Sequence, residues 1–153
     1  MGRMYTAVLD GVSVSAVADL FWIAAPSDAC VVIHEINITQ DTSETSEQLP
    51  LNVFRTATDN AAQGTANTPN PLDVGSPAFG GTVRTIITGG SLSAETTMLV
   101  RESQNILNGW SILPTPECRI VLSPSGRLAV KLDAAPAAAL PISGRIVFEE
   151  IGG

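Results

Sequence analysis

The sequence predicts an all-β fold, a single antiparallel β-sandwich with a jelly roll favoured over an immunoglobulin-like arrangement, and three observations predict it. Short apolar runs recur between turn signals along all 153 residues, as in sandwiches and barrels rather than βαβ units. Ten prolines and thirteen glycines, spread through the chain, interrupt it too often for long helices. Charged residues make up 15%, against about 25% in typical soluble domains, and small apolar and hydroxyl residues fill the difference. The length suits one domain, so residues 1–153 are expected to form one sandwich with no separate catalytic domain. A chain of this size buries about two thirds of its unfolded surface, enough for one real core.

Eight to ten strands are expected, near 5–9, 19–24, 30–40, 49–56, 82–88, 97–107, 110–113, 118–122, 127–132 and 142–151. In the second, Leu20-Phe21-Trp22-Ile23-Ala24 is apolar at both parities, which predicts cover on both faces, by the opposing sheet and by a loop or another subunit. In the third, His34 shares parity with Val32, Ile36 and Ile38, an apolar and therefore buried face. Asn108-Gly109 predicts a type I′ hairpin between the sixth and seventh strands. Ser123-Pro124-Ser125-Gly126 predicts a type I turn joining the eighth and ninth, which makes the last third a meander. In the ninth, Leu128, Val130 and Leu132 point inward and Arg127, Ala129 and Lys131 outward, leaving one wet face.

Three segments lack strand character: the acidic, hydroxyl-rich 41–48, the long 57–81, and 133–141. The middle one is longer than compact domains normally carry and is read as an interaction arm. Its apolar residues Leu72, Val74 and Phe79 are the candidate subunit or partner contacts, with Phe79 as anchor, together with Trp110 beside the Asn-Gly turn. The uncovered second strand and this arm together predict a homotrimer.

Catalytic ingredients are sparse. His34 is the single histidine, and no GxSxG elbow, phosphate loop, HExxH or EF-hand accompanies it. Glu149-Glu150 cannot work as a hydrolytic pair, because adjacent strand residues face opposite sides. Asp41, Glu44 and Glu47 could offer oxygen to a hard cation but read as a solvated acidic loop. Cys30 and Cys118, each heading an apolar run, read as free buried thiols. The expectation is a non-enzyme with no cofactor and no metal. The net charge of −7, with Lys131 as the one lysine, disfavours nucleic acid and anionic membrane surfaces as partners. No signal peptide or 18-residue apolar run is seen, so a soluble, unsecreted protein is expected. The myristoylation-like start at Gly2 and the sequon Asn37-Ile38-Thr39 read as chance matches. A carbohydrate-binding module would need exposed aromatics, for which Trp110 and Tyr5 are the candidates.

Several stretches resemble the small virion proteins encoded beside the head genes of tailed bacteriophages. They are Gly11-Val12-Ser13-Val14 through Asp19-Leu20-Phe21, Ala25-Pro26-Ser27-Asp28-Ala29, Gly109-Trp110-Ser111-Ile112-Leu113-Pro114-Thr115-Pro116-Glu117, and Ser123-Pro124-Ser125-Gly126-Arg127-Leu128 through Val147-Phe148-Glu149-Glu150-Ile151-Gly152. These are packing and turn motifs. The resemblance implies a head decoration (cement) protein, made in the host cytoplasm and placed on the capsid exterior, with the major capsid protein and its own copies as partners. A tail or head-fibre component that binds a receptor or carbohydrate is the alternative implied.

Overall fold

The computed structural model describes residues 2–42 and 46–152, and strands are present at all ten expected positions. They are β1 (Arg3–Val14), β2 (Ala18–Ala24), β3 (Ala29–Gln40), β4 (Gln48–Thr56), β7 (Thr82–Thr88), β8 (Glu95–Asn105), β9 (Trp110–Ile112), β10 (Ile120–Leu122), β11 (Arg127–Leu132) and β12 (Leu140–Gly152). Two more, β5 (Thr65–Asn67) and β6 (Asn70–Pro71), lie in the segment expected to have none.

The strands form two antiparallel sheets. One runs β10-β3-β12-β1-β6, with β9 beside β10 on the free side of β3, and the other runs β5-β7-β2-β11-β4-β8. The pairings nest: β1 with β12 and β3 with β9 and β10 in the first sheet, β2 with β11 and β4 with β8 in the second. That is the order a long hairpin takes when it rolls up, a jelly roll. The core between the sheets holds Tyr5, Phe21, Ile23, Ile33, Ile36, Leu51, Val53, Leu128, Val130, Ile146 and Phe148, all at most 1% exposed.

The nested pairing overturns two expected hairpins. Asn108-Gly109 links β8 to β9, which lie in different sheets. Gly109 has φ +70° while Asn108 does not enter the left-handed region, so the turn is not type I′. The Ser123–Gly126 turn closes with Gly126 N–H donating to the Ser123 carbonyl at 2.7 Å, but it joins β10 of one sheet to β11 of the other. Ser125 at φ +60° fits position three of a type II turn rather than type I. Three of the four connections from β8 to β12 cross between the sheets, and the last third is not a meander.

A bulge corrects the reading of β3. Opposite Val147 and Phe148 of β12 stand Glu35 and Ile33, so His34 is the extra residue. Val31, Ile33, Ile36 and Ile38 all face the core as a result, and His34 is turned to the outer side, half-buried. A second bulge, in β2 at Leu20, brings Ala18, Leu20, Phe21 and Ile23 onto the core and leaves Asp19 and Trp22 on the outer face.

That outer face is not wet. Strand register aligns Arg84, Trp22, Ala129, Phe54 and Met98 in one row across the second sheet. Trp22, Phe54 and Ala129 are at most 1% exposed, forming with Ile87 a second, smaller core. Ala129 was expected to face water and does not. The cover comes from the chain itself. The β4–β5 connection must travel from one side of the sheet to the other, and its hydrogen bonds fix it on both flanks of the Trp22 row. On one flank Arg127 donates to the Ala57 carbonyl (3.0 Å) and Asp59 (3.2 Å); on the other Asn60 donates to the Ser91 carbonyl (2.9 Å) and Ser93 Oγ (3.0 Å). Gly64, at φ +59°, ends the crossing pressed on β7: a Cβ there would lie 2.5 Å from the Thr85 carbonyl oxygen.

The cysteines remain free, but not both as buried thiols: Cys30 is half-buried and Cys118 is exposed in a 3-10 turn, Pro116–Cys118. Their strands are adjacent, yet the β10–β3 register carries Cys118 toward Glu35 and Cys30 toward Ser123. Five residues of strand, about 17 Å, then separate them, beyond the roughly 7 Å that a disulfide spans.

Candidate functional site

Of the 57–81 segment expected to be an arm, residues 57–64 form the crossing over the second sheet, and residues 65–81, the arm proper, are fastened to the edge of the sandwich rather than extended from it. β5 pairs with β7 of one sheet and β6 with β1 of the other, so the arm bridges the two sheets along one side. Leu72 N–H donates to the Met4 carbonyl at 2.8 Å, and Asn67 Nδ2 to the Val8 carbonyl at 2.8 Å. Tyr5 hydroxyl donates to the Pro77 carbonyl at 3.0 Å, and Gly80 N–H to Glu150 at 3.2 Å. Glu150, 3% exposed, also meets Arg3 at 3.5 Å, while Glu149 faces the other side.

Phe79 completes this attachment. Its ring centroid lies 4.8 Å from that of Phe148, edge-on, and 5.5 Å from that of Tyr5. Such aromatic pairs hold beyond the area they bury. The ring expected to anchor a partner thus packs against its own core while staying partly exposed. Beside it, the arm and β7 enclose a cleft of ≈ 240 Å³ lined by Ala66, Pro69, Phe79, Thr82 and Arg84 among others.

Between the fastenings stands a tip. Ser76 N–H donates to the Asp73 carbonyl at 3.0 Å, and Gly75 N–H to Asp73 Oδ1 at 3.1 Å, a β-turn reinforced by its own aspartate. Val74, at the second position of this turn, is 99% exposed, and Leu72 at its base is 56% exposed. The fourth candidate, Trp110, is 8% exposed and donates Nε1–H to Glu102 at 2.7 Å, so it does not join the tip. Turn chemistry in Asp73-Val74-Gly75-Ser76 was readable in the sequence. The attachment by Tyr5, Phe79 and Glu150 was not, because nothing local marks partners some seventy positions apart.

Of the two reasons for expecting a trimer, the apolar outer face of β2 is met within one chain, whereas the loop's apolar residues are covered only at Phe79, with Leu72 and Val74 left exposed. The outer face of β2 is covered by the β4–β5 crossing, and Phe79 is covered by Tyr5 and Phe148.

Elsewhere, the polar side chains that the sequence singles out pair with one another or with the backbone. His34 Nε2 lies 3.1 Å from Glu149, both half-buried on the outer face of the first sheet. Arg145 pairs with Glu35 through Nε and Nη2. Asp41 accepts from the Ser143 hydroxyl at 2.7 Å and Glu47 from Ala137 N–H at 3.1 Å, while Glu44 lies outside the described residues. Among the described residues, no group of three or more His, Cys, Asp or Glu is placed to hold a metal ion. No helix of the described residues is long and apolar enough to cross a membrane.

One buried acid stands apart. Asp19, fully buried under Ser93, accepts the Ser93 N–H at 2.8 Å. Burial pushes its carboxyl above the usual carboxylate range, against the opposing pull of the Ser93 hydrogen bonds and the Lys131 charge. Comparison with protein family models, with curated proteins and with solved structures yields no match to this chain.

Proposed function

We propose that the protein is a non-enzymatic structural component of a virion, decorating and stabilising the outside of a phage capsid by docking on the major capsid protein. The observation that carries this reading is the tip: a fully exposed valine held on a hydrogen-bonded turn, above an arm fastened to both sheets. A turn already ordered before contact loses little conformational freedom on binding, so even a small apolar patch gains affinity. Leu72 and Val74 are the contact residues in this reading. The net charge of −7 suits an exterior position better than a DNA-lined interior. A jelly roll is compatible with such a role, as viral capsid and lectin domains share it, but fold analogy alone does not separate those two.

The aromatic residues favour decoration over carbohydrate binding. Six of the seven, Tyr5, Phe21, Trp22, Phe54, Trp110 and Phe148, are buried, and Phe79 is partly buried in its cluster. Sugar platforms require an exposed ring, and none of these supplies one. Cryo-microscopy of particles from the virus that carries the gene tests the reading: density for the sandwich on the outer shell supports it, and density in the tail or no density overturns it.

A further inference from the structure

Among the described residues, β8 closes the second sheet with an unpaired edge of eleven residues, and its partner strand β4 occupies only the other side. Such edges are usually blunted by proline, lysine and other charges, or bulges; β8 contains no proline or lysine, and its charges Glu95 and Arg101, like its two bulges, lie on either side of Met98. Its register against β4 has two bulges. Met98 stands opposite Phe54, Arg101 opposite Asn52, and Glu95 opposite Thr56, with Leu99 and Thr96 as the extra residues. Glu95, Met98 and Arg101 therefore share the outer face of the sheet, and Met98 lies midway between the two charges.

Neither charge is used within the chain. Arg3, Arg127, Lys131 and Arg145 each face a carboxylate. Among the described residues the exposed side chains of Glu95 and Arg101 have no hydrogen-bond or ion-pair partner. Met98, half-buried, ends the apolar row that starts beside Arg84 and runs through Trp22, Ala129 and Phe54.

We propose that β8 pairs with β8 of a second copy of this chain, antiparallel about a two-fold axis at Met98. Antiparallel pairing centred there sets residue 95 against residue 101 of the other copy, so Glu95 meets Arg101 twice, on the face both already occupy. Opposite charges directly across a strand pair attract, and like charges repel. Met98 meets its own counterpart, and the apolar row continues from one molecule into the next. The two six-stranded sheets become one of twelve. An isologous contact of this kind closes on itself and does not propagate into fibres. The inference stands apart from the decoration reading. It leaves the arms at the far ends of the joined sheet, since β5 and β8 are opposite edges.

Sedimentation equilibrium from about 1 to about 200 µM tests it, the range in which modest interfaces assemble. The unaltered chain is expected to dimerise. Arg101→Glu, which sets two glutamates against each other twice, is expected to raise the dimer dissociation constant at least roughly tenfold. The double swap Glu95→Arg with Arg101→Glu restores the complement and is expected to recover the dimer. A monomer across the whole range overturns the proposal, as does an Arg101→Glu chain that dimerises like the parent, or a folded double swap that stays monomeric. Hydrogen exchange on the unaltered chain gives a reading free of variants: β8 amides gain protection as concentration rises, and the absence of any gain overturns the pairing.

Discussion

The two outer faces of this sandwich are built from the same strand geometry and meet opposite fates. On the first sheet, register places Val8, Arg145, Asn37 and Ser111 in one row, exposed or half-exposed and tied by the Arg145–Glu35 pair. On the second, the matching row is Arg84, Trp22, Ala129, Phe54 and Met98, with its centre fully buried. The sheets differ because only the second is crossed by the chain on its way from β4 to β5. An apolar strand face thus does not by itself announce a missing partner: a connecting segment can supply the cover. The most exposed large apolar side chain is Val74, where the arm turns, followed by Leu113 at 77% and by Leu72 at the base of the turn.

The sharpest way to break this contrast is to truncate its centre. Trp22→Ala is expected to cost about 3–5 kcal/mol, the range for large buried aromatics, whereas Arg145→Ala on the facing sheet should stay within about 1 kcal/mol as an exposed ion pair does. Urea titration of both variants checks this, and equal losses would show that the β4–β5 crossing does not form a second core. Phe79→Ala comes next, at about 2–3 kcal/mol for a partly buried ring in an aromatic cluster. Limited proteolysis should then cut the arm near Val74 earlier than in the parent, because the ring no longer fastens it.

Asp19 gives a smaller effect with a definite sign. The native state holds its proton to higher pH than the unfolded chain does, because burial raises its value. Its contribution is therefore most favourable at acid pH and is lost as pH rises through the raised value. Asp19→Asn, which keeps an acceptor for Ser93 N–H, should raise the melting temperature at neutral pH and lose that advantage as the pH falls toward the ordinary carboxylate value. Melting curves across pH check it, and an advantage that grows toward acid would reverse the assignment. The smallest effects belong to the thiols. A thiol reagent should modify exposed Cys118 in the native protein well before half-buried Cys30, and reductant should leave melting unchanged, read by mass spectrometry and calorimetry.

Strand positions were legible in the sequence because alternation and turn residues are local signals. The boundaries of β2, β4, β7 and β11 fall within one residue of expectation. Turns were located but their connections were not: Asn108-Gly109 and Ser123–Gly126 both bend the chain, and whether a bend returns to the same sheet depends on the nested pairing of distant strands. Parity failed at His34, where a bulge puts the side chains before and after it out of phase; the bulge at Leu20 does the same in β2, whose two apolar parities are both buried as expected. Ile86, at φ +52°, does the same in β7, so Ile86 packs on the main core and Ile87 on the outer one. For the site, Leu72 and Val74 stood out as apolar residues in a turn-rich segment. Phe79 and Trp110 looked equivalent to them, because what withdraws both from the surface is contact with Tyr5, Phe148 and Glu102, none of which the local sequence marks.

In the decoration reading proposed above, the contact surface is the tip, and the tip carries no part of the fold. Val74→Asp tests it most directly, by cosedimentation with shells lacking the protein and by melting on the same preparation. With the side chain 99% exposed, melting should shift by no more than about 2 °C, as for a surface change, while the variant stays in the supernatant and the parent pellets with the shells. A Val74→Asp chain that pellets with shells as the parent does would show that the tip is not the contact surface.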